Sequence, residues 1–305
     1  MSIETSLYAT AVRQAEGGKP FLGNTLRVYP EVGSTMSVAD RLIAEGRPSG
    51  MTVIALKQTA GRGSDDADQG KARAWWSGEG NLMLSRIVGM SGYAMEAEFI
   101  AALAVAEIIA DLLPRETVTL KYPNDVLVDD AKICGCLVLT NENNFYNKAE
   151  RKINLGVGVN LASTPPKDAV REKASVTKAT CLKDCGAENM TVANFMSLFD
   201  ERLNAIMQEY SLQGFVCVLK RMGFADCKTG EVHLRHPATG EHIQGIYSGF
   251  STRKSFSGVH VNYLHLETGG KTNAFPLQEF TETAIVKRPL ALNPVRKSLQ
   301  ACSYV

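Results

Sequence analysis

The chain has 305 residues, 45% apolar and 21% charged. That is enough apolar mass for one large folded domain or two smaller ones, and it excludes disorder as the dominant state. Thirty-three basic against 32 acidic residues leave a formal charge of +1, so no nucleic-acid partner recognised by bulk positive charge is expected. No apolar run reaches the roughly 18–20 residues that span a bilayer, so no membrane partner is expected either. The seven cysteines, an odd number in a chain of this size, read as reduced thiols of a cytoplasmic protein rather than a disulfide framework.

Residues 1–24 lack a signal core and read as an irregular lead-in. The run 26–32 predicts a short strand. Ser34 or Thr35 then caps a helix to about residue 45, with Val38, Ala39, Leu42 and Ile43 inward and Gly46 as the stop. A buried-type strand at 51–57 leads into a Gly/Asp-rich stretch at 61–70 that has no periodicity and is expected to be loop. A strand at 81–88 follows, then a helix at 95–113 that is apolar on most sides and so belongs inside a core. Strand-like runs come at 118–122, 132–140 and 152–161, with a turn at Asp129-Asp130 and a polar loop at 141–148. Thr191 caps a second long helix bearing Val192, Phe195, Phe199, Leu203, Ile206 and Tyr210 at helical spacing. Beyond about residue 224 short alternating segments appear at 231–235, 243–250, 259–267 and 283–286, with turns at Thr239-Gly240 and Gly269-Gly270. The chain thus divides into a mixed α/β domain at 1–223 and a small all-β, barrel-like module of four or five strands at 224–305.

Three places conflict with plain structural logic, and such conflicts mark candidate sites. In Gln58-Thr59-Ala60-Gly61-Arg62-Gly63 two glycines flank an arginine directly after a buried strand. The glycines allow close backbone approach to a ligand and the guanidinium suits a carboxylate or phosphate, although a solvated arginine on a surface loop fits the same pattern. In Lys121-Tyr122-Pro123-Asn124-Asp125 a lysine closes an apolar run, and Lys132 opens the next. Two lysines at adjacent strand ends can bracket a carboxylate and a phosphate; equally, both can snorkel to solvent at an edge. In Gly156-Val157-Gly158-Val159-Asn160 one strand face is stripped of side chains over two pleats, which suits a ligand or a closely packed helix. Cys181 and Cys185 have no second pair or nearby histidine, and no metal site is expected.

Taken in order, Gly33-Ser34-Thr35-Met36, Gln58 to Gly63, Lys121 to Asp125, Lys132-Ile133-Cys134-Gly135 and Gly156 to Asn160 resemble the biotin–protein ligases (holocarboxylase synthetases). The resemblance implies an α+β fold: a mixed β-sheet flanked by helices, as in class II synthetase-like biotin/lipoate ligase domains, followed by a small SH3-like β-barrel. It implies activation of biotin with Mg2+ and ATP to biotinyl-5′-AMP, then transfer to a lysine of the biotin carboxyl carrier domain of an acetyl-CoA carboxylase-type enzyme. By the same resemblance Lys121 and Arg62 are the catalytic cations. Ser34, Thr35, Gln58, Gly61, Arg62, Gly63, Lys121, Gly135, Gly156 and Gly158 surround biotin, and Arg62, Trp75, Asn124, Lys132 and Asn160 contact the nucleotide. The alternatives are a lipoate or octanoate ligase, whose Arg-Arg-x-x-Gly-Gly-Gly signature is missing here, and a non-catalytic carrier-binding homologue.

The sequence departs from the family pattern at three points. Met36 stands where the family has Asn, and Tyr122 where it has Trp. After Gly63, Ser64 replaces a second arginine, and an acidic insert, Asp65-Asp66-Ala67-Asp68, precedes Lys71, Arg73 and Trp75. The missing arginine helps the family retain the adenylate. Lys71 or Arg73 is therefore expected to swing back in its place while the insert bulges outward; the competing expectation is an enzyme that sheds biotinyl-AMP. Only about 25 residues precede the first predicted strand, so no DNA-binding repressor function is expected.

Overall fold

The computed structural model describes residues 3–66, 71–90, 94–121, 124–139, 151–166, 178–222, 231–235, 241–254, 260–276 and 282–284. Tyr122, Pro123, the 141–148 loop and the Thr239-Gly240 turn lie outside them.

An eight-stranded sheet is the frame. Its strands are β1 (Phe21–Leu22), β2 (Leu26–Tyr29), β3 (Thr52–Ala55), β6 (Leu82–Met90), β7 (Val118–Lys121), β8 (Asp125–Val128), β9 (Ala131–Leu139) and β10 (Arg151–Val159). Two more strands, β4 (Arg62–Asp66) and β5 (Lys71–Ala74), pair with each other as a separate ribbon. The sheet order is β1-β2-β3-β6-β10-β9-β8-β7. β2 and β3 are its parallel pair and its other pairings are antiparallel. A parallel pair needs a crossover, and helix α2 (Thr35–Ala44) supplies it. One two-residue hairpin turn, Asp129-Asp130 between β8 and β9, has positive φ at both residues, where a polar side chain tolerates the left-handed region.

Helix α2 covers one face of the sheet, with Val38, Ala39 and Leu42 on Met51, Val53 and Ile87. The other face carries α1 (Ile3–Glu16), α3 (Ala94–Leu112), α4 (Val192–Gln213) and α5 (Phe215–Arg221). Helix α3 is buried nearly all round because it lies between the sheet and the outer helices, with Phe99 edge-on to Phe215 at 5.3 Å. Thr191 caps α4 by accepting from Asn194 N–H.

Two expectations are corrected. Residues 3–16 are a helix rather than an irregular lead-in, because Tyr8, Ala11, Val12 and Ala15 recur at helical spacing and are buried in the core. The 61–70 stretch is loop only in part, since β4 and β5 pair antiparallel with Arg62 opposite Ala74 and Asp66 opposite Lys71. Backbone hydrogen bonds make that ribbon, so apolar periodicity does not announce it.

A buried polar cluster ties the helical face to the sheet. Arg86 of β6 donates to Asp200 of α4 and, through Nε, to Thr52 Oγ1 at 2.9 Å, and Tyr8 of α1 donates to the same carboxylate. Arg86 and Asp200 are 9% and 8% exposed, so each ion depends on its partner rather than on water.

A second antiparallel sheet has the order β14-β13-β12-β11-β15. Its strands are β11 (Glu231–Arg235), β12 (His242–Lys254), β13 (His260–Thr268), β14 (Lys271–Pro276) and β15 (Glu282–Ala284). Leu234, Tyr247, Leu264 and Leu266 join the apolar core of the helical layer without a break. Among the described residues no helix is long and apolar enough to cross a membrane.

Candidate functional site

The parallel pairing of β2 and β3 continues past the strand ends. Val32 bridges Gln58, and Ala60 N–H donates to Gly33 O at 2.7 Å. This brings the start of α2 against Gln58. Ser34 caps the helix, its Oγ accepting from Met36 N–H at 3.3 Å. Buried Thr35 donates to Gln58 Oε1 from both its N–H (2.7 Å) and its Oγ1 (3.1 Å), and accepts from Ser85 Oγ at 2.9 Å. Gln58 Nε2 passes the chain on to Ser77 Oγ at 3.0 Å. The amide and hydroxyls are thus held in fixed directions beside the N-terminal, positive end of a helix dipole.

The glycines make the floor. Gly158 of β10 lies directly across from Gly135 of β9, so two neighbouring strands are bare at one level. The Trp75 indole rests there: a Cβ on Gly158 would lie 2.4 Å from the ring, and one on Gly135 3.1 Å from it. Met36 covers Gly156, whose Cβ would meet Sδ at 2.8 Å. With the indole in place the pocket encloses about 60 Å3, well below the ~300 Å3 at which ligand sites begin. The Trp75 Nε1 hydrogen is buried without a partner among the described residues. Gly158→Ala is therefore expected to force the rigid indole off the floor and raise the KM for the small-molecule substrate about 10- to 100-fold. Gly156→Ala meets only the flexible end of Met36 and is expected to cost severalfold at most. Steady-state kinetics of the two variants check the contrast.

Lys132 reaches the pocket through an irregularity. The pairing of β8 and β9 shifts between Val126 and Leu127, leaving Ile133 as an extra residue. Ile133 and Cys134 are both fully buried in the core, and Lys132 and Gly135 both line the pocket. Such a bulge re-aims a side chain. Lys132 Nζ sits 2.6 Å from Asp125 Oδ1 and 5.5 Å from the Trp75 ring centroid, a charge held by a carboxylate and a π face. Cys136 lies with Cys134 on the helix side, Sγ to Sγ 3.9 Å. The neighbouring thiol and burial push the Cys136 thiol far above its ordinary pKa, so it is no nucleophile. On that same side Glu98 accepts from Val138 N–H at 2.6 Å, and burial pushes its carboxyl up to about 7.

Of the residues expected from the sequence, the pocket gathers Ser34, Thr35, Gln58, Arg62 and Gly63 with Trp75 and Asn124, and then Lys132, Gly135, Gly156 and Gly158. Three stand apart from its lining. Gly61 lies behind, where its O accepts from Trp75 N–H at 3.0 Å and a Cβ would come 2.4 Å from Trp75 O, so glycine is needed there for close backbone approach. Lys121 ends the edge strand β7, with Nζ 3.8 Å from Asp125 Oδ2. Asn160 is 3% exposed and its amide serves the fold, donating to Thr180 O at 3.1 Å and accepting from Asn81 Nδ2 at 3.4 Å. Asn124 lines the pocket but spends Nδ2 on Cys136 O. Sequence reasoning missed Ser85, Ser77 and the role of Asp125 between the two lysines. A lone serine in the apolar 82–88 run was the available signal for Ser85.

A mixed sheet with a helix N-terminus, a glycine floor and lysine and arginine on one small pocket defines an α+β domain with a cation-lined pocket. More specifically, the chain belongs to the biotin/lipoate A/B protein ligase family, whose model matches residues 29–160. It is 31% identical over 211 residues to the biotin–[acetyl-CoA-carboxylase] ligase of Paracoccus denitrificans, covering 68% of this chain and 83% of that protein. It is 27% identical over 202 residues to the bifunctional ligase/repressor BirA of Bacillus subtilis; the match covers 64% of this chain but spans only 57% of that relative's length. The fold matches the structure of the Aquifex aeolicus biotin protein ligase in complex with biotin and ATP, with a TM-score of 0.60 and 21% identity over 84% of this chain and 97% of that one.

Proposed function

We propose that the protein is a cytoplasmic, ATP-dependent biotin–protein ligase. It joins the biotin carboxylate to the α-phosphate of ATP with release of pyrophosphate. The biotinyl group then passes to the lysine amine of a biotin carboxyl carrier domain, and AMP leaves. The observation that carries this reading is the meeting, in one glycine-floored pocket, of a directed hydrogen-bond chain (Ser85, Thr35, Gln58, Ser77) with the cations Arg62 and Lys132. The names of the relatives supply biotin, ATP and the carboxylase acceptor. We also propose that the second sheet closes as an SH3-like barrel, forming a module distinct in sequence at 224–305.

The two reacting groups are both anions, so fixed positive charge must surround the centre where they meet. The geometry favours Lys132 over Lys121 as the cation at that centre. Lys132 reaches the pocket, whereas Lys121 acts on it through Asp125. Arg62 stands at the rim with donors to spare for a carboxylate or phosphate. Thr35 and Gln58 suit the polar edge of the biotin ring, and Trp75 suits a flat group laid against it. Asp125 is the carboxylate among the described lining residues, so magnesium carried in on the nucleotide would meet it there and would supply further neutralisation of phosphate charge.

Pyrophosphate exchange into ATP tests the reading. Exchange that depends on biotin is expected. Exchange only with lipoate or octanoate would make the protein a lipoate-type ligase, and none with any of them a carrier-binding homologue. Retention of the adenylate is separable. In the β4–β5 ribbon Ala74 lies opposite Arg62 and Lys71 opposite Asp66, which puts Arg73 near the pocket end and Lys71 far from it. Arg73→Ala is therefore expected to release biotinyl-AMP about tenfold faster, with Lys71→Ala near wild type, as followed by trapping free adenylate.

A further inference from the structure

Arg62 is held at the pocket rim by two residues of α2: its NH2 donates to Ser37 Oγ at 2.9 Å and its NH1 to Asp40 Oδ2 at 3.3 Å. The other oxygen of Asp40 points inward. Oδ1 accepts from Asn154 Nδ2 at 2.7 Å, and the second hydrogen of the same amide goes to Met36 O at 2.8 Å. Asn154 belongs to β10 and shares its face with Gly156 and Gly158. A chain of contacts thus runs from the sheet, through the helix, to the rim arginine.

Asn154 is an unusual residue for its place. It is fully buried between Ile153 and Leu155, which are core residues, and its Oδ1 has no partner among the described residues. An amide that leaves its own oxygen stranded is costly if it serves packing alone. What the amide contributes therefore lies in the two hydrogens it donates, one to the helix backbone and one to the Asp40 carboxylate.

We propose that Asp40 and Asn154 are positioning residues. They fix Arg62, and with it the root of the β4–β5 ribbon, in the geometry that substrate binding uses; the substrate's identity rests on the biotin-ligase reading above. The root matters because Arg62 opens β4 opposite Ala74, and the next residue, Trp75, lies on the glycine floor. Asp40 is steadied from behind by a buried amide, so it acts as an anchor rather than as a mobile stand-in for a substrate anion. Two donors of the guanidinium face α2, leaving the rest for a ligand. Ordering the arginine within the protein removes that cost from binding.

The test uses the full-length chain with Asn154→Leu and, because that site is buried, Asp40→Ala at the half-exposed end of the same chain. Backbone hydrogen exchange of 62–66 and 71–75 in the protein alone is expected to quicken about tenfold in both, with the amides of α3 unchanged. In pyrophosphate exchange the KM for biotin is expected to rise about tenfold with kcat within about twofold of wild type. Asn154→Leu is expected to add nothing in an Arg62→Ala background. Asn154→Leu takes the donor from Met36 O and Asp40 Oδ1, so its melting temperature is expected to fall; the unchanged α3 amides and the KM-against-kcat split separate positioning from a general loss of stability. Unchanged hydrogen exchange in the ribbon of both variants would overturn the proposal, as would KM effects that add to those of Arg62→Ala. A wild-type protein without biotin-dependent exchange would instead refute the functional reading, and hydrogen exchange would still decide the positioning.

Discussion

Replacing Lys132 with alanine is expected to lower biotin-dependent pyrophosphate exchange by about two to three orders of magnitude, the range seen when a fixed donor is removed from a centre of developing charge. Its ammonium lines the pocket, held by Asp125 at 2.6 Å and lying over the Trp75 ring. Nothing else among the described residues puts a lysine on that wall. Lys132→Arg is expected to lose nearly as much, because a planar guanidinium cannot take the place of a compact ammonium wedged between a carboxylate, an indole and the Gly135 backbone. Lys121→Ala is expected to cost only about tenfold, since it reaches the site by steadying Asp125. Initial rates with biotin and ATP varied in turn distinguish the two. A severe Lys121 defect beside a mild Lys132 defect would return the central role to Lys121, where the family resemblance first placed it.

The largest stability effect is expected at Arg86. Arg86→Met removes the cation from a carboxylate that is 8% exposed, leaving Asp200 with the Tyr8 hydroxyl as its side-chain partner among the described residues. Breaking one side of a buried pair costs about 3–5 kcal/mol. Three separate elements lose a common anchor, because Tyr8, Arg86 and Asp200 come from α1, β6 and α4. Arg86→Met combined with Asp200→Leu is expected to recover most of the loss, as replacing both ions by apolar groups removes the uncompensated charge. Urea denaturation of the single and double variants measures this. A single-variant loss below about 1 kcal/mol would mean that water screens the pair as it does at a surface.

Helices α3 and α4 were legible in the sequence because their apolar residues are large and recur at helical spacing, and Pro114 and Thr191 mark their ends. Helix α1 was not, because two of its four buried residues among those described, Ala11 and Ala15, are alanine and the helix takes its stability from packing on α4 and the sheet. The pocket lining was legible where chemistry and backbone coincide: Gly135, Gly156 and Gly158, Gln58, and the Ser34-Thr35 cap. The rest depends on geometry that no local pattern carries. Lys121 and Lys132 look equivalent as strand-end lysines, and only strand pairing separates them. Asn160 looks like a ligand contact at the end of a glycine strand, yet the distant Asn81 and Thr180 claim it. Asp40 and Asn154 lie 114 positions apart in the chain, and no local pattern joins them.

The irregularity at Ile133 is at bottom a matter of parity. In a regular strand only residues an even number apart share a face. Lys132 and Gly135 are three apart and both line the pocket. An odd interval is compatible with that only if one residue is taken out of step, and Ile133 is that residue. The spacing Lys-x-x-Gly at this strand therefore encodes the bulge by itself. Deleting Ile133 would make the interval even and leave the lysine and glycine where they are, at the expense of one buried side chain. Inserting a residue beside Ile133, by contrast, would force β9 to give up either the cation or its alignment with β8.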